Sequence, residues 1–339
     1  MKGFISLLTV MCVLLCGCTS VQQQEQKQYT ATFLTLFDTV TTVVGHAESE
    51  DAFKETAQKI HDDLQVYHQL FDIYNDYDGI NNLKTVNDQA GVAPVQVDRA
   101  IIDLLLDCRQ YYELTGGRVN AAMGSILELW HEARDNGVRD PGHAALPDSN
   151  LLEQAAEHIR FEEIVIDEAA STVYIPDGKM SLDVGAIAKG WATQRAAEKA
   201  PAGMLISVGG NVCATGPKQG EHPWVIGIQN PDGGEYLHTI YVTDACVVTS
   251  GDYQRTYTVD GQKYHHIIDP DTRMPATYWR SVSIVCADSA LADALSTALF
   301  LLPQKEGAEL AAKCGAEALW IDQEGNEFMT SGFESMIRT

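Results

Sequence analysis

Residues 204–268 read MLISVGGNVCATGPKQGEHPWVIGIQNPDGGEYLHTIYVTDACVVTSGDYQRTYTVDGQKYHHII. Short apolar and β-branched runs alternate with Gly-, Pro- and Asn-rich turns. The pattern predicts strands over 204–208, 224–229, 236–242, 246–249, 254–259 and 263–268. Strand runs joined by Gly turns indicate antiparallel sheet. Working outward, a helical stripe of apolar residues occupies positions 53, 57, 60, 64, 67 and 71, so 49–71 is a predicted helix. Further helices are predicted over 98–115, 125–134, 148–158, 185–200, 289–302 and 305–314. Strands are predicted over 33–46, 163–167, 172–176, 181–184, 281–287 and 317–322. Helices and strands mix without a βαβ rhythm, so the fold class is α+β and not doubly wound.

The 339 residues are 45% hydrophobic and 21% charged, which excludes a disordered chain. Lys and Arg number 23 against 47 Asp and Glu, a net charge of −24. Such a field repels nucleic acid, so no nucleic-acid partner is expected. An anionic substrate would need a local device, such as a metal ion or a helix N-terminus.

The N-terminus reads MKGFISLLTVMCVLLCGC. Lys2 precedes an apolar run of signal-peptide length, too short for a confident membrane span. The ending Leu15-Cys16-Gly17-Cys18 resembles a bacterial lipobox. Residues 1–17 are read as a lipoprotein signal peptide, Cys18 as the lipidated residue and 18–30 as a polar tether. Residues 31–339 form the remaining domain, with two interleaved lobes. The protein is then extracytoplasmic and touches the cell membrane through its lipid anchor only, on the periplasmic face where there are two membranes. Of eight Cys, five lie beyond the signal, at 108, 213, 246, 286 and 314. Their odd number and wide spacing predict buried thiols, not a disulfide framework.

Three segments carry chemistry, and a fourth, the Gly-rich Ser207-Val-Gly209-Gly210-Asn211 followed by Gly216-Pro217, marks a strand end that lets backbone approach something closely. In Ser181-Leu-Asp183-Val-Gly185-Ala186-Ile-Ala-Lys189-Gly190 a turn leads into a helix whose free amides can face a phosphate. Asp183 and Lys189 could point at the same ligand, or serve as an N-cap and a surface Lys. In the apolar helix around Leu291–Leu302, Asp293 and Thr297 are i and i+4 and share a face. Carboxylate plus hydroxyl suits Mg²⁺ or Ca²⁺. Alternatively Thr297 bonds its own helix and Asp293 pairs with a Lys or Arg. In Tyr264-His265-His266-Ile267, strand alternation turns the two His to opposite faces, and His266 could act as a base or as a phosphate donor. Neither GxxxxGK[ST] nor GxGxxG occurs, which argues against a P-loop or Rossmann site.

The order and spacing of these segments resemble those of the FAD:protein FMN transferases, the ApbE family of flavin transferases. The resemblance runs from about Phe33 to Thr330. It is carried by LFDTV (36–40), Tyr74, INNLKTVND (80–88), GGRVNAAMGSILELW (116–130), LDVGAIAKGWA (182–192), SVGGNV (207–212), TSGDYQR (249–255), HIIDPDT (266–272) and ADALSTALF (292–300). It implies a two-lobed ApbE-like fold, with mixed and antiparallel sheets and FAD between the lobes. It implies Mg²⁺ held by the Ala186 carbonyl, the Asp293 carboxylate and the Thr297 hydroxyl. Asp183 and Lys189 would contact FAD, with Phe37 and Tyr74 beside the flavin and Asn120, Ala121 and Ala122 along the adenosine side. His266 and Ile267 would flank the diphosphate, and His266 would be the base. Many members carry Met-Gly-Thr where this chain has Phe37-Asp38-Thr39. The implied reaction moves the FMN part of FAD onto a Thr or Ser of an acceptor protein, with AMP as the second product. A subunit of a membrane redox complex is one candidate acceptor. An FAD diphosphatase and a non-enzymatic flavin-binding lipoprotein are the alternatives.

Overall fold

The computed structural model describes residues 27–338. The signal, Cys18 and most of the tether lie outside the described residues. An eight-stranded sheet forms the centre: β1 (Lys27–Phe33), β2 (Thr41–Ala47), β3 (Met204–Val208), β4 (Asn211–Ala214), β5 (Cys246–Gly251), β6 (Trp279–Cys286), β7 (Glu317–Asp322) and β8 (Glu327–Met329). Spatial order follows chain order, and each adjacent pair is antiparallel. The sheet is therefore a meander whose connections carry insertions.

The longest insertion separates β2 from β3. It holds α1 (Glu50–Phe71), α2 (Arg99–Leu114), α3 (Gly124–Arg139) and α4 (Ala188–Lys199). A ribbon of Trp224–Ile228 and His238–Val242 fills the β4–β5 connection, and a ribbon of Tyr257–Val259 and Gln262–Tyr264 the β5–β6 connection. Between β6 and β7 lie α5 (Ser289–Phe300) and α6 (Gln304–Lys313).

Local chemistry explains these elements. The Ser49 hydroxyl accepts from the Ala52 N–H and caps α1. Phe53, Ala57, Ile60, Leu64, Tyr67 and Phe71 are all buried, as the helical stripe requires. Helix α2 begins behind the Asp98 cap and stops at Gly116 and Gly117, whose φ angles are 60° and 82°. Alternation along the strands separates two cores. Val248, Ile284 and Trp320 face the helices, while Val247, Val285 and Leu319 meet the Trp224–Val242 ribbon and Phe333. A third core joins α3 to the second ribbon through Met123, Ile126, Trp130 and Tyr257.

The α+β class stands, and several boundaries move. The strand expected over 33–46 is broken, because Phe37 and Asp38 take left-handed φ angles of 53° and 51° and turn the chain between β1 and β2. Residues 27–30, read as tether, belong to β1 and pair with Val44–Ala47. The strand expected at 181–184 is a single parallel bridge from Ser181 to Met123, and the helix expected from Gly185 begins at Ala188. One cysteine expectation fails: Cys213 and Cys246 form a disulfide across β4 and β5. Strand register makes them direct neighbours, which spacing along the chain cannot reveal. Cys108 and Cys286 are buried free thiols, as expected, and Cys314 is partly buried. Among the described residues no helix is long and apolar enough to cross a membrane.

Candidate active site

Because the strands alternate in direction, the β1–β2 turn, the β3–β4 turn and the exit from β5 share one end of the sheet. A cleft of about 370 Å³ opens there. The segments around Asn120 and Asp183, and helix α5, complete its walls.

Helices α4 and α5 build its deepest part. Asp293 is only 4% exposed. Its Oδ2 accepts from the Gly190 N–H at 2.8 Å and lies 3.8 Å from the Lys189 ammonium. Gly190 permits this approach, since a Cβ there would collide with the Ser289 carbonyl oxygen and the Asp293 side chain. In a regular helix the Gly190 N–H would bond the Ala186 carbonyl. Helix α4 starts too late for that, so Gly190 bonds Asp293 instead. Thr297 lines the same wall. Its hydroxyl bonds to no protein group among the described residues. The alternative of a hydroxyl spent on its own helix is realised by the neighbour, Ser296, which donates to the Asp293 carbonyl at 2.9 Å.

This donor set fits a small hard cation. It offers a buried carboxylate with one N–H and a distant ammonium, a free hydroxyl and a carbonyl at the head of α4. All are oxygen donors, as Mg²⁺ prefers. Burial pushes the Asp293 pKa up, opposed by Lys189 and the Gly190 N–H, so a cation would favour its ionised form. Among the described residues no group of three or more His, Cys, Asp and Glu could hold a metal. The candidate set has a single carboxylate, so substrate oxygens and water must complete any coordination shell.

His266, just after the second ribbon, also lines the cleft. Its Nδ1 lies 3.2 Å from the Gln254 carbonyl, which can only accept. Nδ1 therefore carries the proton, and Nε2 keeps a free lone pair. Burial, and then the positive charges of Arg255 and Lys189, push its pKa down to about 3, so the resting imidazole is neutral. His265 is turned away, although the strand expected over 263–268 ends at Tyr264, before both His. Its Nε2 meets the Ala276 carbonyl at 2.9 Å, and its Nδ1 accepts from the Ile267 N–H.

Phe37, Tyr74, Asn120, Ala121, Asp183 and Ile267 also line the cleft. Ala122 does not: it is 0% exposed and packs in the core. The Asn120 amide is committed to its loop, donating to the Ile159 carbonyl and accepting from the Ala122 N–H. The Ala121 carbonyl accepts from the Asp183 N–H at 2.8 Å, tying the two loops together. Asp183 Oδ1 accepts from the Gly185 N–H and shapes the turn into α4. Tyr74 is 60% exposed at the rim, with its hydroxyl 3.0 Å from His131 Nδ1.

Arg118, His131 and Arg255, to which the sequence reading gave no individual role, also line the cleft, as does Asn211 of the Gly-rich segment. Arg118 pairs with Asp269 and Asp271 of HIIDPDT. Opposite charges in two singled-out segments were the one available signal for it. Asn211 is 2% exposed, and its Oδ1 has no hydrogen-bond partner.

Residues 35–320 match the family model described as the ApbE family. The chain belongs to the ApbE family. A relative from Treponema pallidum, named FAD:protein FMN transferase, is 35% identical over 277 residues, covering 76% of this chain and 75% of its own length. One from Klebsiella pneumoniae with the same name is 29% identical, covering 78% of this chain and 83% of its own. The crystal structure of the ApbE protein from Thermotoga maritima superposes with a TM-score of 0.81 at 30% identity, covering 92% of this chain and 100% of that one. The flavin transferase ApbE from Vibrio cholerae, at 21% identity and a TM-score of 0.76, shares the fold. This ApbE chain thus has the α+β architecture expected from its sequence.

Lys189 bridges the Gly185 carbonyl, at 3.2 Å, and Asp293. Its ammonium is the cation nearest the candidate metal face. Lys189→Ala should raise the FAD dissociation constant about tenfold, the size of one lost charge-assisted contact. Titration calorimetry checks this. An unchanged constant in a folded variant would remove Lys189 from the substrate site.

Proposed function

We propose that this protein transfers the FMN moiety of FAD onto a Thr or Ser hydroxyl of an acceptor protein and releases AMP. One observation carries the reading. A single cleft gathers Asp293, Thr297, the Ala186 segment, Lys189 and His266 in an ApbE chain 35% identical to a named FAD:protein FMN transferase.

In this reading the Asp293 carboxylate, the Thr297 hydroxyl and the Ala186 carbonyl hold Mg²⁺. Bound there, the ion would offset diphosphate charge and ease departure of AMP. The protein's own groups do the rest. Phe37, Tyr74, Asn120, Ala121 and Ile267 orient FAD along the cleft, and Asp183 shapes the loop beside it. His266 Nε2 takes the proton of the acceptor hydroxyl, whose oxygen bonds to the FMN-side phosphorus. The bond from that phosphorus to the bridging oxygen breaks, and the electron pair leaves with AMP. An anionic diphosphate beside His266 counters the two cations that depress its pKa, so the imidazole becomes a better base when substrate binds.

The test is AMP release in the presence of FAD and Mg²⁺, with and without an acceptor protein. Release that needs the acceptor and matches its covalent flavin supports transfer. Equal release without acceptor would make the protein an FAD diphosphatase, and no release would favour a flavin-binding protein.

We place the protein outside the cytoplasm, anchored by lipid on Cys18. Support comes from the Leu15-Cys16-Gly17-Cys18 motif and the Gln-rich segment that follows it. Cys18→Ser should move the protein from the membrane fraction to the soluble one. A processed variant that stays with the membrane would overturn the anchor.

A further inference from the structure

The cleft contains three Lys or Arg side chains, and two are already engaged. Arg118 is held by Asp269 and Asp271, and Lys189 by Asp293 and the Gly185 carbonyl. Arg255 differs. Among the described residues its guanidinium has neither a carboxylate nor a hydrogen-bond partner. In a chain of net charge −24, with 47 acidic side chains available, an Arg facing a cleft without a carboxylate is conspicuous.

Its position is built, not incidental. Tyr257 pairs with Tyr264 in the second ribbon. Both strands end at that pair, and Arg255 and His266 lie two residues beyond it, one on each segment. The bond between the Gln254 carbonyl and His266 Nδ1 fixes the two segments side by side at this point. Arg255 itself takes a left-handed φ of 46°, a conformation that costs energy for a non-Gly residue. His266 feels the charges of both Arg255 and Lys189. The charge of Arg255 also reaches Tyr74 and His131 at the rim.

We propose that Arg255 is the phosphate clamp for the phosphoryl group being transferred, binding the non-bridging oxygens of the FMN-side phosphate. This rests on the transfer reading given above. A hydroxyl deprotonated by His266 must attack the phosphorus nearest that imidazole, and Arg255 is the unpaired cation at its side. The guanidinium fork fits two phosphate oxygens at once. It lowers the repulsion that a phosphate anion presents to an incoming oxygen. Lys189 and the candidate metal face then serve the diphosphate.

Three ligands test the assignment on the full-length protein: FMN, riboflavin and AMP, each titrated calorimetrically with Mg²⁺ present. FMN carries the clamped phosphate, riboflavin lacks it, and AMP carries the other one. Arg255→Gln should weaken FMN binding about tenfold and leave riboflavin and AMP within about twofold. Arg255→Lys, which keeps the charge but loses the fork, should lose about threefold. Both replacements are as able as Arg to take the left-handed backbone, so the loop is preserved. Unchanged FMN affinity overturns the proposal. So does an equal loss for FMN and riboflavin, which marks a packing effect, or a loss confined to AMP, which puts the guanidinium on the other phosphate. Wild-type protein that binds no FAD would instead overturn the functional reading, independently of Arg255.

Discussion

An Asp293→Asn protein should fold like wild type and lose at least about a hundredfold in FMN transfer, a barrier increase of about 2.7 kcal/mol. The amide oxygen of Asn can still accept from the Gly190 N–H, now bonded to Asp293 Oδ2 at 2.8 Å. What is lost is the negative charge, at a position only 4% exposed in a helix whose other residues are Ala, Leu and Phe apart from Ser289, Ser296 and Thr297. Hydrophobic burial explains those neighbours and leaves the carboxylate unexplained, unless it serves a cation. Asp293→Ala should also be inactive. It strands the Gly190 N–H at a cost of about 1–3 kcal/mol, so Asn is the cleaner variant. Circular dichroism, Mg²⁺ titration by calorimetry and transfer assays on one sample check the point. A folded Asn variant that binds Mg²⁺ and transfers FMN at near wild-type rate would remove the metal assignment.

Gly190→Ala should be nearly as damaging, through packing. A single methyl group there meets the Ser289 carbonyl oxygen and the Asp293 side chain. Helix α4 or α5 must shift, because backbone sits on one side of the collision and the candidate metal ligand on the other. Overpacking of this kind costs about 1–3 kcal/mol of stability. The shift also displaces Asp293 from the cleft wall, so transfer should fall by about two orders of magnitude, since sub-ångström placement governs such sites. Urea unfolding together with the transfer assay measures both effects. Wild-type stability with wild-type transfer would show that the two helices have more room than the structure gives them.

The sequence disclosed parts of this site unequally, for physical reasons. Asp293 and Thr297 were legible because helical spacing alone puts i and i+4 on one face. His265 and His266 do point apart, but the strand whose alternation predicted this ends at Tyr264, before both of them. Gly190 as the contact between α4 and α5 was not legible, because the helix it touches lies about a hundred residues further along the chain. The disulfide between Cys213 and Cys246, 33 residues apart, depends on the register of β4 with β5. The Tyr74–His131 contact spans 57 residues and joins a loop to helix α3, with no shared period. The left-handed pair Phe37 and Asp38 sits inside a β-branched run that conceals the turn. Ala121 and Ala122, adjacent in the segment likened to the family, part company: Ala121 faces the cleft and Ala122 the core. Local periodicity was readable, whereas contacts set by tertiary approach were not.

The most direct test of the central claim is intact-mass spectrometry of acceptor proteins. Proteins from cells lacking this protein would be incubated with the purified enzyme, FAD and Mg²⁺. The account predicts an acceptor heavier by one FMN less one water, with the addition mapping to a Thr or Ser and absent from the Asp293→Asn reaction. Acceptors of unchanged mass, with FAD consumed to free FMN and AMP or left intact, would contradict it.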